Sequence, residues 1–387
     1  MMPQKHILLI TTELRPGGAE KCLANLACGL DKSKFRCRVV SIWSKPEHRQ
    51  QRLVEKLGDA GIEIDFLNCD SKLSVFSAVK KLKKIIVEHK IDLVQSFLFP
   101  GNLVAGIAVS QLAKSQQSSV RLFTGIRVAD PSRFRHFVER RATKIAKKII
   151  CVSDSVKQFA EIQMRLPRAK LISIPNGIDA KPISDSVIST YKDSMRSEWS
   201  SFGIDRPFAL FVGRLTEQKG LAPFLSEFAK VDDQIPPVDL VFVGDGPIRK
   251  TIEGLAAALK HRRCHFVGWQ SNPQAFILAA ETLFLPSLWE GMPNVLLETM
   301  ASARPFVAFS VDGVSELLNG NIDEPSARNQ MQCVPPGDYQ QFFTNLTQVV
   351  ANKELAAQIG MANQECIAAN FSLKKMIAEY EQAYLGF

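Results

Sequence analysis

The chain has 387 residues, 46% of them apolar and 22% charged, with 48 Lys and Arg against 39 Asp and Glu and a net charge of +9. That is too apolar for disorder, long enough for two or three domains, and without the run of roughly 18 apolar residues that a transmembrane helix needs. The charge is uneven: residues 1–200 hold 34 Lys and Arg against 19 Asp and Glu, while residues 201–387 hold 14 against 20, so the first half is the one expected to meet an anion or an acidic surface.

The first element is a strand over 6–11. Its apolar core, Ile7-Leu8-Leu9-Ile10, is too short for a signal peptide, so the chain is expected in the cytoplasm. Pro16-Gly17-Gly18 then turns into a helix over 19–30 with Cys22, Leu23, Leu26, Ala27 and Leu30 on one stripe. Strands follow at 35–43, 62–67, 91–96, 120–125 and 148–152, with helices at 53–60 and 75–89. Alternation of this kind predicts an α/β fold with a parallel, doubly wound sheet. A polar stretch over 176–206 reads as a linker with a short helix near 189–200. The pattern then restarts with strands at 207–212, 238–243, 265–267, 282–285 and 305–308, and ends in a helical stretch over 353–384. Two Rossmann-like domains facing a cleft are expected, over 1–180 and 181–369. In such sheets ligands sit outside the carboxyl ends of the strands.

The eight cysteines form no Cys-x-x-Cys pair and read as small apolar packers. His261 and His265 lack the Glu of a zinc-binding His-Glu-x-x-His pattern, and no metal site is expected.

Four loops that follow strands carry the candidate chemistry. Gly17-Gly18-Ala19-Glu20 opens a helix, where glycine backbone and helix N–H groups suit an anion, although a bare turn uses the same residues. Gly213-Arg214-x4-Lys219-Gly220 offers a bidentate donor and a point charge, the pair that a diphosphate needs; two solvated charges are the plainer reading. Val243-Gly244-Asp245-Gly246-Pro247 lacks the third glycine of a dinucleotide fingerprint and reads as a tight turn. The strongest is Pro286-Ser287-x2-Glu290-Gly291-x-Pro293-x4-Glu298. It places Glu290 in a loop and Glu298 a turn into a helix whose start, at Asn294 and Val295, presents N–H groups to an anion. Two carboxylates that accept from hydroxyls, flanking an anion position, match a sugar nucleotide.

Together with Phe266-Val267-Gly268-Trp269 and Ile174-Pro175-Asn176-Gly177-Ile178-Asp179, these motifs resemble family 4 of the retaining glycosyltransferases, which have the GT-B fold (two Rossmann-like domains). The resemblance spans essentially the whole chain. It implies that Arg214, Lys219, Gly17 and Gly18 hold the donor diphosphate, with the backbone of Asn294 and Val295 on its distal phosphate. Glu298 would hold the ribose, Val267 and Gly268 the base, and Glu290 the transferred sugar. It further implies a UDP-sugar as donor, a glycan or lipid-linked acceptor, no metal or cofactor, and a final helix near 370–387 packed back on the first domain. The chain departs from the family at Gln95-Ser96-Phe97, where many members carry His-x-His, and at Arg127, which stands where another His is common. Arg127 is therefore expected to contact donor or acceptor. A nucleotide-sugar epimerase or hydrolase of the same fold, or a silent sugar-nucleotide binder, are the alternatives.

Residues 127–148 carry eight Lys and Arg against Asp130 and Glu139, with Phe134, Phe137, Val138, Ile145 and Ile149 near helical spacing. An amphipathic helix with a cationic face is expected there. It would meet an anionic membrane, placing the protein peripherally on the inner membrane face, or a phosphorylated lipid-linked acceptor. Nucleic acid is not expected, since no aromatic-interleaved basic groove or binding module is visible.

Overall fold

The apolar runs fold as parallel strands covered on both faces, which is why they are continuous rather than alternating. The computed structural model describes residues 4–115, 119–179, 190, 195, 199–318 and 327–386. The chain divides into two units, Met1–Gly177 with Leu373–Phe387 and Ile178–Ser372.

The first unit runs β1 (Lys5–Thr11), α1 (Gly18–Gly29), β2 (Phe35–Ser41), α2 (Arg52–Asp59), β3 (Glu63–Phe66), α3 (Val75–Glu88), β4 (Leu93–Ser96), α4 (Leu98–Lys114), β5 (Arg121–Ile126), α5 (Arg133–Ala142), β6 (Lys148–Cys151), α6 (Asp154–Ile162) and β7 (Leu171–Ser173). Its sheet has the order β3-β2-β1-β4-β5-β6-β7. The order in which successive strands are added reverses between β1 and β4, the switch point where such sheets bind ligands. The last helix, Leu373–Leu385, belongs to this unit. Its Met376, Tyr380 and Tyr384 are buried with Leu9, Leu23, Phe97 and Phe123 in one core. Tyr384 meets Phe35 and Phe123 at ring distances of 6.2 and 5.7 Å.

The second unit runs β8 (Phe208–Val212), α7 (Leu221–Phe228), β9 (Asp239–Val243), α8 (Arg249–Ala256), β10 (Cys264–Gly268), α9 (Gln274–Ala279), β11 (Thr282–Leu285), α10 (Asn294–Ala301), β12 (Phe306–Phe309), α11 (Ala327–Gln332), β13 (Cys333–Val334), α12 (Tyr339–Ala351) and α13 (Lys353–Asn370). Its sheet order is β10-β9-β8-β11-β12-β13. Phe224 of α7 stacks on Phe284 of β11 at 4.9 Å and anchors an aromatic core with Phe228, Phe342 and Phe343.

All eight cysteines are free thiols. Burial pushes those of Cys37, Cys151, Cys264 and Cys333 up to about 12, as suits packing residues. The helix expected near 189–200 lies largely outside the described residues. The helical stretch over 353–384 is two helices, broken at Phe371 and Ser372. No helix among the described residues is long and apolar enough to cross a membrane.

The basic segment 127–148 holds a helix of only ten residues, α5, and its aromatic side chains face outward: Phe134 is 78% exposed and Phe137 56%. Ser132 caps it by accepting from the Arg135 N–H at 3.4 Å. Its one acid, Glu139, points inward and accepts from Asn102 Nδ2 at 2.7 Å.

Candidate functional site

The loops after β8 and β11 are laced into one surface of the second unit. The backbone N–H of Leu288 donates to the Gln218 carbonyl at 2.8 Å, and Gln218 Nε2 donates to the Trp289 carbonyl at 2.9 Å. Lys219 Nζ donates to Glu290 Oε1 at 2.5 Å. Gly220 makes the approach possible. It turns left-handed at φ 64°, and a Cβ there would sit 2.0 Å from the Pro286 carbonyl oxygen. Glu290 and Lys219, 71 residues apart, thus touch. Glu290 is 5% exposed, and Arg214, earlier than Lys219 on the loop after β8, is exposed.

The Gly244 loop supports this surface from below. Gly244, at φ 136°, brings its α-carbon so close to the Gly213 carbonyl that a Cβ would lie 1.9 Å from the oxygen. Leu215 N–H donates to the Asp245 carbonyl at 2.9 Å. This loop is a tight turn that shapes its neighbour, as its sequence suggests.

Pro293 caps α10, so Asn294 and Val295 occupy its first turn, where backbone N–H groups point out of the helix end. Glu298 follows Asn294 by four residues and shares its face; it is half-buried. Val267 and Gly268 end β10 at a register shift. Their carbonyls each accept one internal bond, from Gln270 Nε2 at 3.0 Å and from the Gly244 N–H at 2.8 Å. Arg249 donates to the neighbouring Phe266 carbonyl at 3.2 Å and is itself held by Glu253 and Asp245.

In the first unit, Gly17 caps α1. The Glu20 carboxylate folds back over it, 2.3 Å from where a Cβ would be, so a larger residue there would push the acid aside. An acid in a first helical turn is favoured by the peptide dipoles, and it places the chain's own carboxylate beside the expected anion position.

Arg127 is held inside the first unit. It is 7% exposed, and its guanidinium donates to Asn176 Oδ1 and to the Tyr380 hydroxyl at 3.3 Å, with its carbon 5.5 Å from the Phe97 ring centre. An amide, a phenol and an aromatic face, all inside the first unit, thus surround the guanidinium. Its role is to join the end of β5, the Asn176 segment and the C-terminal helix.

Gln218 and Ser287 are the site residues that sequence reasoning left without a role. Gln218 ties the two loops; Ser287 Oγ is buried and has no hydrogen-bond partner among the described residues. Both lie inside the quoted motifs, which was the available signal. No group of His, Cys, Asp and Glu side chains that could hold a metal occurs among the described residues.

Comparison with known proteins bears on both units. The family model described as Glycosyltransferase Family 4 matches residues 16–181, and the one described as Glycosyl transferases group 1 matches residues 206–352. The chain is 29% identical over 197 residues to alpha-D-kanosaminyltransferase of Streptomyces kanamyceticus, covering 50% of this chain and 49% of that protein. It is 25% identical over 260 residues to the UDP-Gal:alpha-D-GlcNAc-diphosphoundecaprenol alpha-1,3-galactosyltransferase of Escherichia coli, covering 64% and 62%. The chain therefore spans about half and about three-fifths of those two relatives. Among solved structures, Anabaena HepE in complex with UDP-glucose superposes with a TM-score of 0.79 at 19% identity, over 99% of this chain and 100% of that one, which establishes a shared fold. With the two family models matching one in each unit, and with that fold, the chain belongs to the group 1 glycosyltransferases of the GT-B fold.

Proposed function

We propose that the protein transfers a sugar from a UDP-sugar to a glycan or lipid-linked acceptor, with retention of the anomeric configuration, in the assembly of a cell-surface polysaccharide or glycolipid. The observation that carries this reading is the contact between Lys219 and Glu290, which joins a phosphate ligand to a hydroxyl acceptor on one rigid pair of loops. The named relatives and the UDP-glucose complex of the structural neighbour support a nucleotide-sugar donor.

In the proposed reaction the bond from the sugar's anomeric carbon to the diphosphate breaks, and the diphosphate leaves with the electron pair. The acceptor oxygen attacks on the same face and passes its proton to the departing phosphate. Arg214 and Lys219, with the first-turn N–H groups of Asn294 and Val295, stabilise the charge that develops on the diphosphate. Gly17 and Gly18 add glycine backbone at the head of α1, where a phosphate can come close. Glu298 accepts from the ribose hydroxyls, Glu290 from hydroxyls of the transferred sugar, and Val267 and Gly268 meet the base. The chain's own cations do the neutralising, so no metal or cofactor enters, and chelation by EDTA leaves the rate unchanged. Arg127 acts as a positioning residue.

A panel of nucleotide sugars tests the donor by thermal stabilisation, since a ligand present at about 100 times its Kd adds about 2.7 kcal/mol. A UDP-sugar is expected to raise the melting temperature and other nucleotides to leave it unchanged; no shift with any nucleotide sinks the donor assignment. An inverted product anomer sinks retention. Turnover of donor alone to an epimer or free sugar points instead to the epimerase or hydrolase.

A further inference from the structure

Every exposed phenylalanine among the described residues lies in the first unit, at the head of α3 or of α5. Phe76 is 84% exposed, Phe134 78% and Phe137 56%, and Leu73, just before α3, is 92% exposed. Helices α3, α4 and α5 pack side by side in one layer, with α4 in the middle. Each follows a strand of a parallel sheet and returns to the next, so all three begin at the carboxyl edge. Leu73 and Phe76 stand at the head of α3, and Phe134 and Phe137 in the first turns of α5. The heads of α5 and α4 meet, since the Arg135 guanidinium lies 5.1 Å from the ring centre of Phe99 in the first turn of α4. Large apolar side chains gathered at one edge call for a partner.

The charge around them identifies it. Both acids of 127–148 are withdrawn: Glu139 is buried against Asn102, and Asp130 is paired with Arg135 at 2.7 Å. Arg133, Arg140, Arg141, Lys144 and Lys147 are exposed and enter no ion pair among the described residues. Arg141 sits over Phe137 at 4.6 Å, so a cation and an apolar ring share one footprint. A second copy of this chain is a poor occupant, since a two-fold contact sets this cationic surface against itself. An anionic lipid bilayer meets both features, with headgroups for the cations and acyl chains for the rings.

We propose that this edge docks on an anionic bilayer at two points, Leu73 and Phe76 from α3 and Phe134 and Phe137 from α5. The docking is independent of the transfer reaction, and its test needs no donor. The full chain is floated with vesicles of phosphatidylcholine containing about 30% phosphatidylglycerol, and with phosphatidylcholine alone, at about 0.1 M salt. Recovery is expected with the anionic vesicles only. Leu73→Ser with Phe76→Ser, and separately Phe134→Ser with Phe137→Ser, are each expected to lower partitioning at least about tenfold. Arg133→Glu with Arg141→Glu is expected to lower it by a similar factor through charge alone. These side chains are exposed, and an unchanged melting temperature checks each variant. The proposal is overturned if wild type stays out of the lipid fraction, if it binds both vesicles equally, if either serine pair floats like wild type, or if it captures RNA in preference to vesicles.

Discussion

Lys219 Nζ lies 2.5 Å from Glu290 Oε1, with side chains 16% and 7% exposed, so the two proposed donor ligands neutralise each other when no donor is bound. Removing the lysine leaves a nearly buried carboxylate without its cation. Lys219→Ala is expected to cost about 3 kcal/mol in the second unit's denaturant transition. Lys219→Met combined with Glu290→Gln is expected to cost less than the sum of the singles by about 1 kcal/mol or more. Additive losses would show that the contact carries no energy. In kinetics, Glu290→Gln is expected to keep UDP binding and lose transfer, whereas Lys219→Ala weakens UDP itself.

The glycines of the laced loops make a sharper test of local geometry. Gly220→Ala puts a methyl group 2.0 Å from the Pro286 oxygen at φ 64°, and Gly244→Ala puts one 1.9 Å from the Gly213 oxygen at φ 136°. Each is expected to destabilise by about 2 kcal/mol or more. Gly254, inside α8 with nothing within 4 Å of its added methyl, is the control, and Gly254→Ala is expected to stabilise by about 0.5–1 kcal/mol. Equal melting temperatures for all three would refute the close approach.

Burial raises the Glu139 carboxyl above its ordinary 4.5, although Arg135 and Asn102 pull the other way. A raised folded value means that the native state holds a proton that the unfolded chain has lost. This carboxyl therefore disfavours folding above its folded value, and that penalty disappears as pH falls toward 4.5. Glu139→Gln is expected to gain over wild type at pH 7–8 and to lose that advantage toward about pH 5. Parallel melting-temperature profiles would contradict the assignment.

Arg127 is expected to behave as a support. Tyr380→Phe removes one hydroxyl acceptor and should cost about 1 kcal/mol. Arg127→Ala also removes a donor from Asn176, a residue 5% exposed, and should cost about 2–4 kcal/mol with faster proteolysis near the C-terminal helix. The folded fraction should keep the wild-type KM for donor. A KM raised tenfold with unaltered stability would return Arg127 to substrate contact.

Much of the architecture was legible because strands covered on both faces must be apolar along their length, as Ile7 to Ile10 and Phe208 to Phe211 are. α4 was not, since Phe97-Leu98-Phe99-Pro100-Gly101 reads as a break and the helix, buried on most sides, shows no polar stripe. The outward aim of Phe134 and Phe137 in α5 needed the fold for a related reason: periodicity gives a face but not which way it points. At the site, residue types and spacing marked Arg214, Lys219, Glu290 and Glu298. The Lys219–Glu290 contact and the Gln218 lacing needed the fold, because nothing local links positions 71 apart. The contact of Arg127 with Tyr380 likewise needed the fold, since the two stand 253 residues apart.

That separation has a consequence for biosynthesis. Tyr380 and Tyr384 complete the first unit's core, yet they leave the ribosome after the whole of Ile178–Ser372. The unit translated first cannot close first: its sheet waits with an open hydrophobic slot while the second unit, continuous in the chain, can finish. A released chain truncated after Ser372 should therefore show a protease-resistant second unit and a labile first one. In this protein the order of synthesis and the order of completion run in opposite directions.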